Sequence, residues 1–66
     1  MSIELLREVI ENIVEAADEV KREKDADDLN YGKLLAFAES LSIIRDLYDG
    51  DLKDIGLDFD IDRRYL

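Results

Sequence analysis

Two runs of apolar residues repeat every three and four positions along this chain, and that periodicity leaves few folds open. Ile3, Leu6, Ile10, Ile13, Ala17 and Val20 keep an unbroken 3-4-3-4-3 spacing, and Leu34, Phe37, Leu41, Ile44 and Tyr48 keep 3-4-3-4. Residues three and four apart share one face of an α-helix, so each run is the apolar seam of a helix. Between them lies Asp25-Ala-Asp-Asp28, short and polar. A link this short joins neighbouring antiparallel helices, so the expected fold is all-α and built on a helical hairpin.

The ends follow from local chemistry. The first helix is expected over about residues 2–24. Ser2 is suited to cap it, Glu4 suits the positive end of the dipole, and Lys21, Arg22 and Lys24 suit the negative end. Val9, Val14 and Ala16 widen its seam on both flanks. The second helix is expected over about 29–49, capped by Asp27 or Asp28, with Tyr31 and Ala38 beside its stripe and Gly50 as a stop. Asp51 to Gly56 reads as one helical turn, 51–55, capped by the aspartate and ended by the glycine. Leu57-Asp-Phe-Asp-Ile-Asp62 then alternates strictly, which is an extended pattern. It is expected to be an arm over 57–62 whose apolar side lies on the hairpin, or pairs with its equivalent in another chain. Arg63 and Arg64 are left to pair with the acidic surface or to stay solvated. The whole of 1–66 makes one small helical domain.

The second helix has more apolar residues than one face can hold. Ala36, Ile43 and Leu47 fall roughly 140–180° from Leu34 at about 100° per residue. Gly32, Ala36 and Ser40 form a small-residue ladder partly on the same side, which would let two backbones approach closely. Leu5, Val9 and Ala16 are possible additions from the first helix. A chain of 66 residues has little else to lay on such a face. Below roughly 70–80 residues a single core supplies only about 3–5 kcal/mol, and small folds usually need a staple. There is no Cys for a disulfide and no His for the commonest metal site, so a partner chain is the staple left. The expectation is a homodimer packed as a four-helix bundle with the second helix innermost, its interface at Gly32, Ala36, Ser40, Ile43 and Leu47. The alternative is that the arm covers this face within one chain.

Charge narrows the function further. Eighteen acidic residues face nine basic ones, a net charge of −9, which argues against direct phosphate or nucleic-acid binding and favours a basic protein partner. No run of about 20 apolar residues is present to span a membrane. The opening Met-Ser-Ile-Glu lacks the basic start of a secretory signal, so the expected location is the cytoplasm.

Three carboxylate patterns bear on chemistry. Asp58, Asp60 and Asp62 open like a calcium-binding EF-hand loop, but the sixth position is Arg63 rather than Gly, and the twelfth lies past Leu66. Glu8-x-x-Glu11 and Glu15-x-x-Asp18 have the spacing used by all-helical magnesium-dependent nucleotide pyrophosphatases. Those enzymes draw ligands from two facing helices, and here the second helix offers only Glu39 and Asp46. Ferritin-like di-iron sites also need His. All four carboxylates are expected on the solvent side of the first helix. No catalytic role, metal or cofactor is expected. Lastly, Glu4, Glu8, Glu11, Glu15, Asp18 and Glu19 line one side of the first helix. A row of carboxylates about 5–6 Å apart is similar to the phosphates of a nucleic-acid strand. Small antirestriction and anti-CRISPR inhibitors use such a row. A solvated helix face is the plainer reading, and Arg7 and Arg22, expected to pair with Glu11 and Asp18, break the row.

The run Tyr31-Gly-Lys-Leu-Leu-Ala-Phe-Ala-Glu-Ser-Leu41, with Gly56-Leu-Asp-Phe-Asp-Ile-Asp62 after it, resembles small open reading frames of bacterial mobile elements and phages. That resemblance implies no activity and no residue roles. The functional expectation is therefore a non-catalytic, self-associating helical interaction protein. The alternative is an acidic DNA-mimic inhibitor of a nucleic-acid-binding protein, in the manner of phage or mobile-element counter-defence.

Overall fold

A computed structural model describes residues 2–23 and 28–66. Helix α1 spans Ile3–Arg22 and helix α2 spans Asp28–Leu47. They pack side by side, and the five positions 23–27 between them are too few to return the chain, so the helices run antiparallel. A 3-10 helical turn at Leu52–Ile55 and a short helix α3 at Ile61–Tyr65 complete the order. The molecule measures 36 × 17 × 16 Å, its length set by two 20-residue helices. No strand occurs among the described residues.

Helix α1 begins as expected. Ser2 Oγ accepts from the Leu5 amide at 3.1 Å, Glu4 occupies the first turn, and Lys21 and Arg22 lie in the last. It ends two residues short of the expected limit, and Lys24 and most of the Asp25–Asp28 break, with Asp27, lie outside the described residues. Helix α2 starts at Asp28 and stops at Leu47 rather than 49. The Tyr48 amide still donates to the Ile44 carbonyl at 3.0 Å, after which the chain turns away. Gly50 does not supply a left-handed stop, since Gly56 is the described residue with positive φ. It admits the Tyr48 ring instead: a Cβ at position 50 would lie 2.7 Å from the Tyr48 hydroxyl oxygen.

The larger correction concerns the C-terminal segment. The 3-10 turn forms where expected, with Asp51 accepting from the Lys53 amide at 3.0 Å and Gly56 ending it at φ 77°. The extended arm expected over 57–62 does not reach Asp62, because α3 begins at Ile61. The Asp60 carboxylate accepts from the Arg63 amide at 3.1 Å and caps that helix. Alternation does put Leu57 and Ile61 inside, with Phe59 half buried. From Ile61 the spacing to Tyr65 is four, which is helical.

The core explains why the segment folds back. Its buried apolar residues are Ile10 and Ala17 from α1, Leu34, Ala38 and Leu41 from α2, and Ile55, Leu57, Ile61 and Tyr65 from the C-terminal segment. Of the fully buried side chains, Tyr65 is the largest. Leu6, Ile13, Val14, Val20, Phe37, Ile44 and Tyr48 pack around this centre. Two helices alone bury one line of contact; the C-terminal segment makes it a three-sided core. Ile3, the first residue of α1, stays half exposed, so the α1 seam closes from Leu6 onward. Tyr31, expected beside the core stripe, is exposed.

Candidate interaction surface

Helix α2 carries two faces. Leu34, Ala38 and Leu41 are buried, with Phe37, Ile44 and Tyr48 half buried beside them. The opposite side is open. Ile43 is 58% and Leu47 80% exposed, Leu29 is 66% exposed, and Gly32, Ala36 and Ser40 between them are exposed too. Together Leu29, Gly32, Ala36, Ser40, Ile43 and Leu47 make one uncharged lane along the whole helix, spaced 3-4-4-3-4. The sequence singled out five of these six residues. Leu29 was not assigned because it sits at the helix start, where the face is set by the exact end.

The arm does not close this lane. The segment packs on the far side of the hairpin, against α1 and the inner side of α2, and only its end reaches the lane's edge. There Asp62 and Leu66 face Ala38, Glu39, Ser42, Ile43 and Asp46 across an open groove of about 320 Å³. Helix α1 flanks the other edge. The turn of α1 that faces the C-terminal segment carries Val14 and Asp18, so Leu5, Val9 and Ala16, on its opposite flank, adjoin α2. In an antiparallel hairpin Leu5 and Val9 lie at the end where α2 carries Ile43 and Leu47. Leu5 and Val9 are themselves exposed.

The lane's one polar side chain already has its bond. Ser40 Oγ donates to the Ala36 carbonyl at 2.8 Å, so covering it would orphan no donor. Gly32 is less easily explained within one chain. Its backbone is not in the left-handed region, and a Cβ added there would meet nothing within 4 Å among the described residues.

The acidic ridge of α1 is only partly as expected. Glu4, Glu8, Glu11, Glu15 and Glu19 are exposed, and Arg7 Nε donates to Glu11 at 3.2 Å as the spacing implied. Asp18 leaves the row. Its carboxylate turns to the C-terminal segment and takes three bonds, from Arg64 Nη2 at 2.7 Å, Arg64 Nε at 3.1 Å and the Tyr65 hydroxyl at 3.0 Å. The partner expected for Asp18 was Arg22; Arg64 instead makes the bonds, with both arms of its guanidinium fork, and Arg22 acts on Asp18 through its charge. The Arg64 guanidinium also lies 4.8 Å from the Phe59 ring centre, and Phe59 meets Tyr65 edge-on at 6.5 Å. Burial opposes the charge on Asp18, but the bonds from Arg64 and Tyr65, with the charges of Arg64 and Arg22, outweigh it and hold its pKa below 3.8. Burial pushes the Tyr65 hydroxyl up to about 12, and its bond to Asp18 adds to the shift. This constellation clamps α3 to α1.

The other carboxylates do not converge. Among the described residues no three Asp or Glu side chains are grouped to hold a metal ion. Asp60 is occupied as a helix cap and Asp62 lies in the first turn of α3, so two of the three aspartates of the Asp58-Asp60-Asp62 run serve helix initiation. A second open groove, about 240 Å³, is lined by Ile10, Glu11, Val14, Glu15, Asp18, Arg22 and Gly56, with no nucleophile or base in it apart from carboxylates. No helix among the described residues is long and apolar enough to cross a membrane. Comparison with protein-family models, curated proteins and solved structures finds no match.

Proposed function

We propose that this protein is a non-catalytic interaction module that works as a homodimer, with α2 at the centre of a four-helix assembly. One observation carries the reading: a helix-long lane without a charge, ending in Ile43 and Leu47, stays open to water in a chain that is 41% charged. Exposed apolar area of this kind, rimmed by Asp28, Glu39 and Asp46, is how association surfaces are built. Light scattering across a dilution series tests it. Wild type should show a dimer that dissociates on dilution, and Leu47→Glu should be a folded monomer, since Leu47 touches little within its own chain. A wild type that is monomeric at high micromolar concentration refutes the reading.

A second reading keeps one observation in its favour. Glu4, Glu8, Glu11, Glu15 and Glu19 remain exposed along a straight helix, on a side of α1 that self-association leaves open. As an acidic inhibitor the protein would seat this row in the basic nucleic-acid groove of a target. Glu8, Glu11 and Glu15 changed together to Gln should then weaken target capture. Capture that ignores both added salt and these changes rules it out.

A further inference from the structure

The open lane of α2 is graded along its length. Its middle, from Gly32 through Ala36 to Ser40, is small, and its C-terminal end, Ile43 and Leu47, is large. Leu29 stands alone at the start. A surface graded in this way fits a reversed copy of itself. We propose that two chains meet α2 against α2 in antiparallel orientation, with the two-fold axis between positions 39 and 40. This inference rests on the self-association reading and adds its geometry.

Set antiparallel about that axis, Ala36 comes opposite Ile43 of the second chain, and Gly32 comes opposite its Leu47. Leu47 then enters a hole bounded by Leu29, Gly32, Lys33 and Ala36, the i, i+3, i+4, i+7 diamond that receives a knob from a facing helix. The Lys33 stem covers that leucine while its ammonium stays in water. Each large residue thus meets a small one, twice over by symmetry. A parallel pair would set Leu47 against Leu47 and Gly32 against Gly32, wedging the helices apart at one end and leaving a void at the other. Gly32 fits this arrangement. Glycine costs a helix about 1 kcal/mol relative to alanine, and among the described residues none lies within 4 Å of an added Cβ to account for it. Close approach of another backbone and its leucine gives the missing Cβ a purpose. Ser40, at the axis, is buried without penalty because its hydroxyl already donates to Ala36.

One consequence is unfavourable and therefore diagnostic. In the antiparallel arrangement equivalent flanks meet, so Glu39 lies beside Glu39 of the second chain close to the axis. In a parallel pair the same two residues fall on opposite flanks. Like charges at that spacing repel.

The chain has no cysteine, which makes the test direct. Single-cysteine variants Ala36→Cys and Ile43→Cys are mixed and equilibrated in a glutathione redox buffer, with circular dichroism confirming that each is folded. The expected product is the mixed 36–43 disulfide, with little 36–36, because equivalent Ala36 positions would be about 10 Å apart along the axis at about 1.5 Å per residue. Glu39→Gln should tighten the dimer several-fold, and added salt should narrow that difference. Dominant 36–36 and 43–43 products, or no 36–43 cross-link between the two variants although wild type dimerises, overturn the antiparallel register while leaving self-association standing. A monomeric wild type removes both.

Discussion

Tyr65 is the side chain on which the most structure depends for its size, and Tyr65→Ala is the sharpest test of the three-sided core. The ring is 1% exposed, belongs to the same buried core as Ile55, Leu57 and Ile61, and meets Phe59 edge-on. Removing a buried aromatic ring costs about 3–5 kcal/mol in lost transfer energy and cavity. Loss of its bond to the Asp18 carboxylate adds about 1–2 kcal/mol, at the lower end for a charged acceptor because Arg64 still provides two donors to that carboxylate. Against this, a core of this size supplies only about 3–5 kcal/mol. Tyr65→Ala should therefore leave the chain largely unfolded at 25 °C, while Tyr65→Phe, which keeps the ring, should fold. Urea titration followed by circular dichroism at 222 nm separates them. With a slope near 1 kcal/mol/M for so small a chain, the Phe variant should lose about 1–2 M in midpoint and the Ala variant should show no folded baseline. Both must be compared at one protein concentration, since association stabilises the folded state. A Tyr65→Ala protein whose midpoint matches that of Tyr65→Phe would refute the claim that α3 completes the core.

Other expectations follow from the same geometry. Because the Asp18 pKa is lowered on folding, its contribution is present above 3.8 and fades as pH falls through the lower folded value. The Tyr65 pKa is raised from 10.0 to about 12, so its contribution is present below 10 and is lost as pH climbs through 12. Urea midpoints across pH should thus show a plateau with an acid and an alkaline shoulder, and Tyr65→Phe should lack the alkaline one. Gly56→Ala should cost about 1 kcal/mol, because φ at 77° strains any residue with a Cβ, even though space is available; an unchanged thermal midpoint would contradict this. Gly32→Ala should do the opposite under dilute, monomeric conditions and stabilise the fold by up to about 1 kcal/mol, and a loss there would mean that the glycine is needed within the chain itself.

The comparison between sequence and structure turns on a few residues. The seams of α1 and α2, the Ser2 cap and the Asp51–Gly56 turn were all legible, because each rests on contacts within a few positions of itself. Alternation at Leu57, Phe59 and Ile61 put Leu57 and Ile61 in the core with Phe59 at its edge, and gave the wrong end to the segment. A capping aspartate at position 60 outweighed the extended pattern, and the signal that shows it, Ile61 and Tyr65 four apart, is only one turn long. The bond from Arg64 and Tyr65 to Asp18 joins residues 46 and 47 positions apart, a pairing that no local pattern encodes.

What the order of residues determined without help was the hairpin and the existence of a second apolar face on α2, since periodicity alone separates Leu34, Phe37 and Leu41 from Ala36, Ile43 and Leu47. Whether that face was spare was a tertiary matter. A C-terminal segment with three alternating apolar residues had two surfaces to choose from, and it lies across both helices, its 3-10 turn on α1 and α3 on the inner side of α2, with the Asp18 clamp tying α3 to α1. The α2 lane is open because the segment's apolar residues are already spent on the inner core, and that outcome depends on three dimensions.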